Sequence, residues 1–170
     1  ILLAEERLVY VVPQVGTVVA PILSAEIETA QFVRESLELA ALTESLSRAT
    51  AEDVAALSAI VDAQRIAESR RSLSGFFTLD EEFHATLMAV SGHGSAWRTV
   101  AQAKSHLDRA RHLSLTVEGM HQLIIEHQKI VDGLAAGDAE AALQAMRAHL
   151  RRVFEDIAAV RTTRPELFTA

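Results

Sequence analysis

The chain has 170 residues, room for one ordinary domain or for one domain and a fragment of another. With 49% hydrophobic and 23% charged residues it can bury a sizeable core and is not a disordered chain, and 5% aromatics make that core aliphatic and alanine-rich. The absence of cysteine excludes disulfides, thiolate metal sites and a cysteine nucleophile, and a net charge of −7 argues against holding nucleic acid through the overall field.

The chain opens Ile1-Leu2-Leu3-Ala4-Glu5-Glu6, without a basic leader, a small-residue cleavage site or an initiator methionine. The expectation is therefore a piece of a cytoplasmic protein. Its most hydrophobic stretch, Val9 to Leu23, is interrupted by Pro13, Gln14, Gly16 and Pro21, and no apolar run reaches the ~18–20 residues that a membrane span needs. Within that stretch, Leu8 to Val12 and Val15 to Ala20 are β-branched runs around a Pro-x-x-Gly turn, the pattern of a β-hairpin. An isolated hairpin is marginal in water, so its parent domain is expected upstream.

From Ile22 to Arg164 there is no proline, and the interval is rich in Ala and Leu. Proline inside a helix costs ~3 kcal/mol, so a long proline-free interval of this composition reads as a helical bundle. Punctuation cuts it into helices at about 24–48, 51–71, 76–91, 95–115, 119–136 and 138–162. Thr50-x-Glu52-Asp53 is a helix start, Ser72 to Gly75 and Ser91 to Ser95 are loops, and Gly137-Asp138 stops one helix and caps the next. The fold class expected is all-α, an antiparallel six-helix bundle preceded by the hairpin.

Seven histidines are the chemically suggestive count. Asp80 and His84 are one helical turn apart on a face continued by Leu87, with Phe83 and Val90 beside it. His127 sits in the stripe Leu123, Ile124, Ile130, Val131 and Leu134, and His149 shares a face with Ala142, Ala145, Met146 and Val153. A single histidine on an apolar face is more often a hydrogen-bonded core residue. Three on separate helices, one with a carboxylate a turn earlier, would be costly unpaired, whereas one divalent cation would satisfy them together. The set Asp80, His84, His127 and His149 suits zinc, nickel, manganese or iron with coordination positions left open.

His106, on a stripe with Ala103, Ala110 and Leu113, is a further candidate to line the cavity, whereas His93, His112 and His121 read as solvated. Arg34 has two readings: an intrahelical ion pair with Glu38, or a guanidinium reaching inward to grip a carboxylate. Arg109 and Arg111 share the second reading, although a solvated face suits them better. Two Glu-x-x-His pairs, Glu81–His84 and Glu118–His121, raise a di-iron carboxylate oxidase as the enzyme alternative. Against it, Glu118 stands at a helix start, and Glu81 lies about 100° around its helix from Asp80.

Taken in order, these motifs resemble the GntR superfamily of bacterial transcription regulators, specifically the FadR-type branch with the FCD effector domain. Leu8 to Ala20 is similar to the wing of that family's winged helix-turn-helix, and Ile1 to Arg7 to the tail of its recognition helix. Arg34-x-x-Leu37-Glu38, Asp80-x-x-Phe83-His84-x-x-Leu87, Glu126-His127-x-x-Ile130 and Met146-Arg147-x-His149-Leu150 resemble successive motifs of the effector domain. His93 departs from the family's usual Ser-Gly-Asn.

The resemblance implies a remnant of the DNA-binding domain over 1–21 and an FCD-like ligand-binding and dimerisation domain over 22–170, in the VanR-like six-helix form. It implies a divalent metal, zinc first, on Asp80, His84, His127 and His149. It also implies a small carboxylic-acid effector held near Arg34, with His106 and Arg109 as further ligand-binding candidates. Operator DNA would be bound through the upstream domain, so that no DNA-contacting residue falls in this chain. The protein would work as a homodimer, without catalysis or a membrane.

Overall fold

The computed structural model describes residues 2–169. A single helical turn, α1 (Leu2–Glu5), leads into an antiparallel hairpin of β1 (Val9–Val12) and β2 (Gly16–Val19), in register Val9 opposite Val19 and Val12 opposite Gly16. The turn is made by Pro13, which fixes its own φ, and by Gln14 at φ +63°. A short strand β3 (Ile22–Leu23) then pairs in parallel with β4 (Phe168–Thr169), so the chain's last strand closes beside the bundle's entrance.

The rest is helical: α2 (Ser24–Arg48), α3 (Ala51–Ser69), α4 (Leu73–Val90), α5 (Trp97–Ala103), α6 (Ser105–Ser114), α7 (Val117–Ala136) and α8 (Ala139–Thr163). Short 3₁₀ turns fill Gly94–Ala96 and Pro165–Leu167. The caps follow from residue type. Thr50 and Asp53 form a reciprocal capping box on α3, the hydroxyl of Thr116 caps α7 at the Gly119 amide, and Asp138 caps α8 at the Ala141 amide. Gly137, at φ +66°, returns its N–H to the end of α7, the left-handed stop that glycine provides.

Two boundaries differ from the sequence expectation. The Ser72 hydroxyl accepts from the Gly75 amide, so α4 starts at Leu73 and takes Gly75 into its first turn. The single helix expected over 95–115 is a 3₁₀ turn and two helices, broken at Lys104 with φ −91° and ψ 7°. The Lys104 ammonium is drawn inward to Glu81 on α4, at 2.6 Å, and to Asp108, at 2.5 Å. With α1 counted, there are eight α-helices among the described residues rather than six.

α7 packs on α8 and α3, α3 on α4, and α2 on α8 and α4. α7 and α8 approach so closely that a Cβ on Gly133 would come within 2.8 Å of the Ala142 backbone nitrogen. The main core is aliphatic as expected, with Leu42, Leu57, Val61, Leu87, Ile130, Met146 and Leu150 around Phe76 and Phe83. A smaller cluster of Ile22, Ile27, Ala30, Leu107, Ala110, Val153 and Ile157 joins the bundle to the hairpin side. Among the described residues no helix is long and apolar enough to cross a membrane.

Candidate metal centre

α4 presents Asp80 and His84 on one inward face, α7 presents His127 and α8 presents His149. All four are buried, and one ligand-type atom from each lies within 4.8 Å of the others. His149 Nε2 is 3.1 Å from His84 Nε2 and 3.3 Å from His127 Nε2, and His127 Nε2 is 3.7 Å from Asp80 Oδ1. Ligands ~2.0–2.1 Å from a tetrahedral zinc ion stand about 3.3 Å apart, so these separations have the dimensions of a coordination shell.

The far side of each ring bears on its tautomer. His127 Nδ1 is 2.8 Å from Gln64 Oε1, and the Gln64 amide is oriented by its own Nε2, which donates to the Leu79 carbonyl. His149 Nδ1 is 3.1 Å from Glu126 Oε2. His84 Nδ1 lies 2.5 Å from Glu38 Oε2, close but off the line of the ring N–H. Oxygen acceptors at Nδ1 of His127 and His149 favour the proton there and turn their Nε2 lone pairs to the centre. The three Nε2 atoms and Asp80 Oδ1 lie together, a donor set that a cation would satisfy.

The electrostatics agree. Burial, reinforced by the neighbouring His149, pushes His127 well below the ordinary imidazole range, and burial lowers His149 despite Glu126. Burial opposes ionisation of Asp80, but the Arg111 guanidinium together with His84, His127 and His149 outweighs it and holds the carboxyl well below its usual range. Glu38, also buried, is brought down to about 2 by Arg34 and His84. Neutral imidazoles beside an ionised carboxylate are the protonation state that a divalent cation requires. The donor set therefore fits a metal such as zinc.

Arg34 makes the ion pair with Glu38 and also turns its guanidinium toward the centre. Its Nε donates to Glu38 Oε1 at 2.8 Å, and its Nη2 stands 3.5 Å from His84 Nε2. A cavity of about 20 Å³, space for roughly one water, lies beside His149 between Arg34, Arg111, Arg152 and Asp156. The larger groove of about 580 Å³ between α7 and α8 shares only Glu126 with the centre and holds none of its four ligands.

His106 and Arg109 are not brought to the cluster. Arg109 donates to the Ala20 carbonyl at 2.7 Å, while His106 Nε2 faces the Glu6 carbonyl at 3.2 Å and its Nδ1 receives the Leu23 N–H at 3.5 Å. The break at Lys104 interrupts the stripe on which His106 was placed and turns this part of α6 toward the hairpin. Conversely, Arg111 is not solvated: it is buried and donates to Asp80 Oδ2 at 2.7 Å. Gln64 and the second-sphere role of Glu126 also escaped the sequence reading, although a glutamine among Leu57, Ile60, Val61 and Ala67 was a signal. The oxidase pairing finds no support, since Glu81 is engaged with Lys104 and Glu118 and His121 are exposed.

Fold and site define an all-α bundle equipped to hold a divalent cation on three imidazoles and a carboxylate, with a β-hairpin in front. Residues 30–152 match the FCD domain. An HTH-type transcriptional regulator in an unstable DNA locus of Streptomyces ambofaciens is 44% identical over 99% of this chain and 71% of its own length. The HTH-type transcriptional repressor RspR of Escherichia coli is 31% identical over 98% of this chain and 74% of its own. Among solved structures, E. coli McbR/YncC shares the fold with a TM-score of 0.78 at 13% identity, over 92% of this chain and 80% of that one. The chain belongs to the FCD-domain family, and its curated relatives of 44% and 31% identity are HTH-type transcriptional regulators. Its relatives are regulators, and it is a regulator rather than an enzyme.

Proposed function

We propose that this bundle is a metabolite sensor that holds a divalent metal, zinc first, on Asp80, His84, His127 and His149, and binds a small organic acid beside it. The observation that carries the reading is the meeting of three buried imidazole rings with Asp80 next to the Arg34 guanidinium. When bound, the metal supplies open coordination for a carboxylate oxygen. Arg34 supplies a fixed fork of donors for the same group, and Gln64 and Glu126 hold the rings of His127 and His149 in the ligating tautomer. The cavity beside His149 takes about one water at 20 Å³, so an acid enters only as the Arg34, Arg111 and Arg152 side chains part.

Residues 1–21 are read as the end of a winged helix-turn-helix domain and 22–170 as the sensor and dimerisation domain. Within the family we assign the chain to the FadR-type branch, working as a cytoplasmic homodimer on operator DNA. An acid with unequal affinity for two arrangements of the helices shifts the protein between them, and thereby the two DNA-binding heads. The test is elemental analysis of the purified protein with a thermal-shift screen of small carboxylic acids. Stoichiometric metal and acid-dependent stabilisation are expected, both lost in His127→Ala, with the acid response lost in Arg34→Ala. Metal-free protein that binds no added zinc, or an acid whose stabilisation survives both substitutions, overturns the reading.

A further inference from the structure

α6 touches both the metal centre and the hairpin junction. At one end of its contact surface, Arg111 donates to Asp80 Oδ2 at 2.7 Å, the oxygen that Asp80 does not turn toward the histidines. Two residues earlier, Arg109 donates to the Ala20 carbonyl, and five residues earlier His106 bridges the Glu6 carbonyl and the Leu23 N–H. The two His106 contacts require one tautomer, with Nε2 donating and Nδ1 accepting, so a single neutral ring ties together the segments on either side of the hairpin. From His106 to Arg111 the helix rises only about 7.5 Å.

α6 is also mechanically set apart. It is cut from α5 at Lys104, and Lys104 is clamped to Glu81, the residue after Asp80 on α4. Two adjacent carboxylates of α4 thus grip α6, through Asp80–Arg111 and Glu81–Lys104. Asp80 is the carboxylate of the four candidates, and its second oxygen is held by α6 through Arg111.

We propose that Arg111 is a positioning residue of the metal centre, and that α6 transmits the placement of Asp80 to residues 6–23 through His106 and Arg109. This rests on the metal reading above for its trigger, but the mechanical link stands on contacts within the chain. A shift of the Asp80 carboxylate carries Arg111 with it, because the buried guanidinium is held to Asp80 by a 2.7 Å ion pair. The motion reaches the backbone at Ala20 and Leu23, where the hairpin meets the bundle.

The experiment is amide hydrogen exchange on the full-length protein, read at Ala20, Ile22 and Leu23, with α3 amides as the control for global opening. In the metal-free state, Arg111→Gln is expected to raise exchange at these amides about fivefold or more while α3 changes less, and Arg111→Lys to stay near wild type. Zinc added alone is expected to change the same amides in wild type but not in Arg111→Gln or Arg109→Met. Unchanged exchange at 20–23 in metal-free Arg111→Gln overturns the link even where zinc binds. A metal-free response with no zinc binding upholds the link and removes the metal reading instead.

Discussion

At the centre, Asp80, His84, His127 and His149 are at most 4% exposed, and each is oriented by a second side chain from another helix. At the hairpin junction, Arg7 pairs with Glu26 at 71% and 36% side-chain exposure, and Arg161 reaches Ser24 from the surface. Both regions are rich in polar contacts, but removing a partner has opposite consequences. In the dry centre it leaves a buried group with nothing to bind, whereas at the junction water takes the vacated place. Effects of substitution should therefore follow burial rather than the number of hydrogen bonds lost.

The sharpest way to break this contrast is Asp80→Ala in metal-free protein. It removes the hydrogen-bonded partner of the buried Arg111 guanidinium, whose pKa Asp80 raises, and leaves it only Asp108 at 3.9 Å. A loss of about 3–5 kcal/mol in denaturant unfolding is expected. A loss below about 1 kcal/mol would show that the centre is as forgiving as a surface.

Acid should separate the regions next. The folded pKa values of His127 and His149 lie below that of a free imidazole, so below about pH 6.5 the unfolded chain takes up protons that the folded chain refuses. Stability of the metal-free protein then falls with pH, by up to about 1.4 kcal/mol per unit for each such group. Glu38, depressed to about 2 from 4.5, adds a second loss that sets in as pH drops through 4.5 toward 2. Urea midpoints at pH 7.5 and 5.5 read the first window; a flat profile there would mean that the imidazoles are solvated.

Gln64→Leu tests the orienting shell alone. It keeps all four ligands but removes the acceptor at His127 Nδ1, freeing the ring to present its N–H to the centre. Zinc affinity, measured by competition with a chelator, should fall about 10–100-fold. An unchanged affinity would mean that the tautomer is set elsewhere.

What could be read from the sequence divides along similar lines. The helix faces holding Asp80, His84, His127 and His149 were legible because i,i+4 spacing and apolar stripes are local properties. α2 was placed at its observed bounds for the same reason. The break at Lys104 was not, since helical periodicity continues through it and the pull comes from Glu81 on another helix. Arg111 has the same explanation: its burial depends on Asp80 approaching across the bundle. Arg109 and His106 were read as candidates for the ligand cavity, but their partners are backbone carbonyls and an amide of the hairpin side, which leave no mark in residue type.

Arg7→Ala is the smallest effect and bounds the other side of the comparison. The Arg7–Glu26 contact measures 3.0 Å, as good as many buried ones, so distance alone would rank it with the centre. Its side chains remain hydrated, and the alanine variant lets water solvate Glu26. The expected change is below about 1 kcal/mol in unfolding free energy, shrinking further in high salt, with zinc affinity unaltered. A salt-insensitive loss above that range would mean that Arg7 works through the packed cluster of Ile22, Ile27 and Leu107 beneath it, making the junction a continuation of the core.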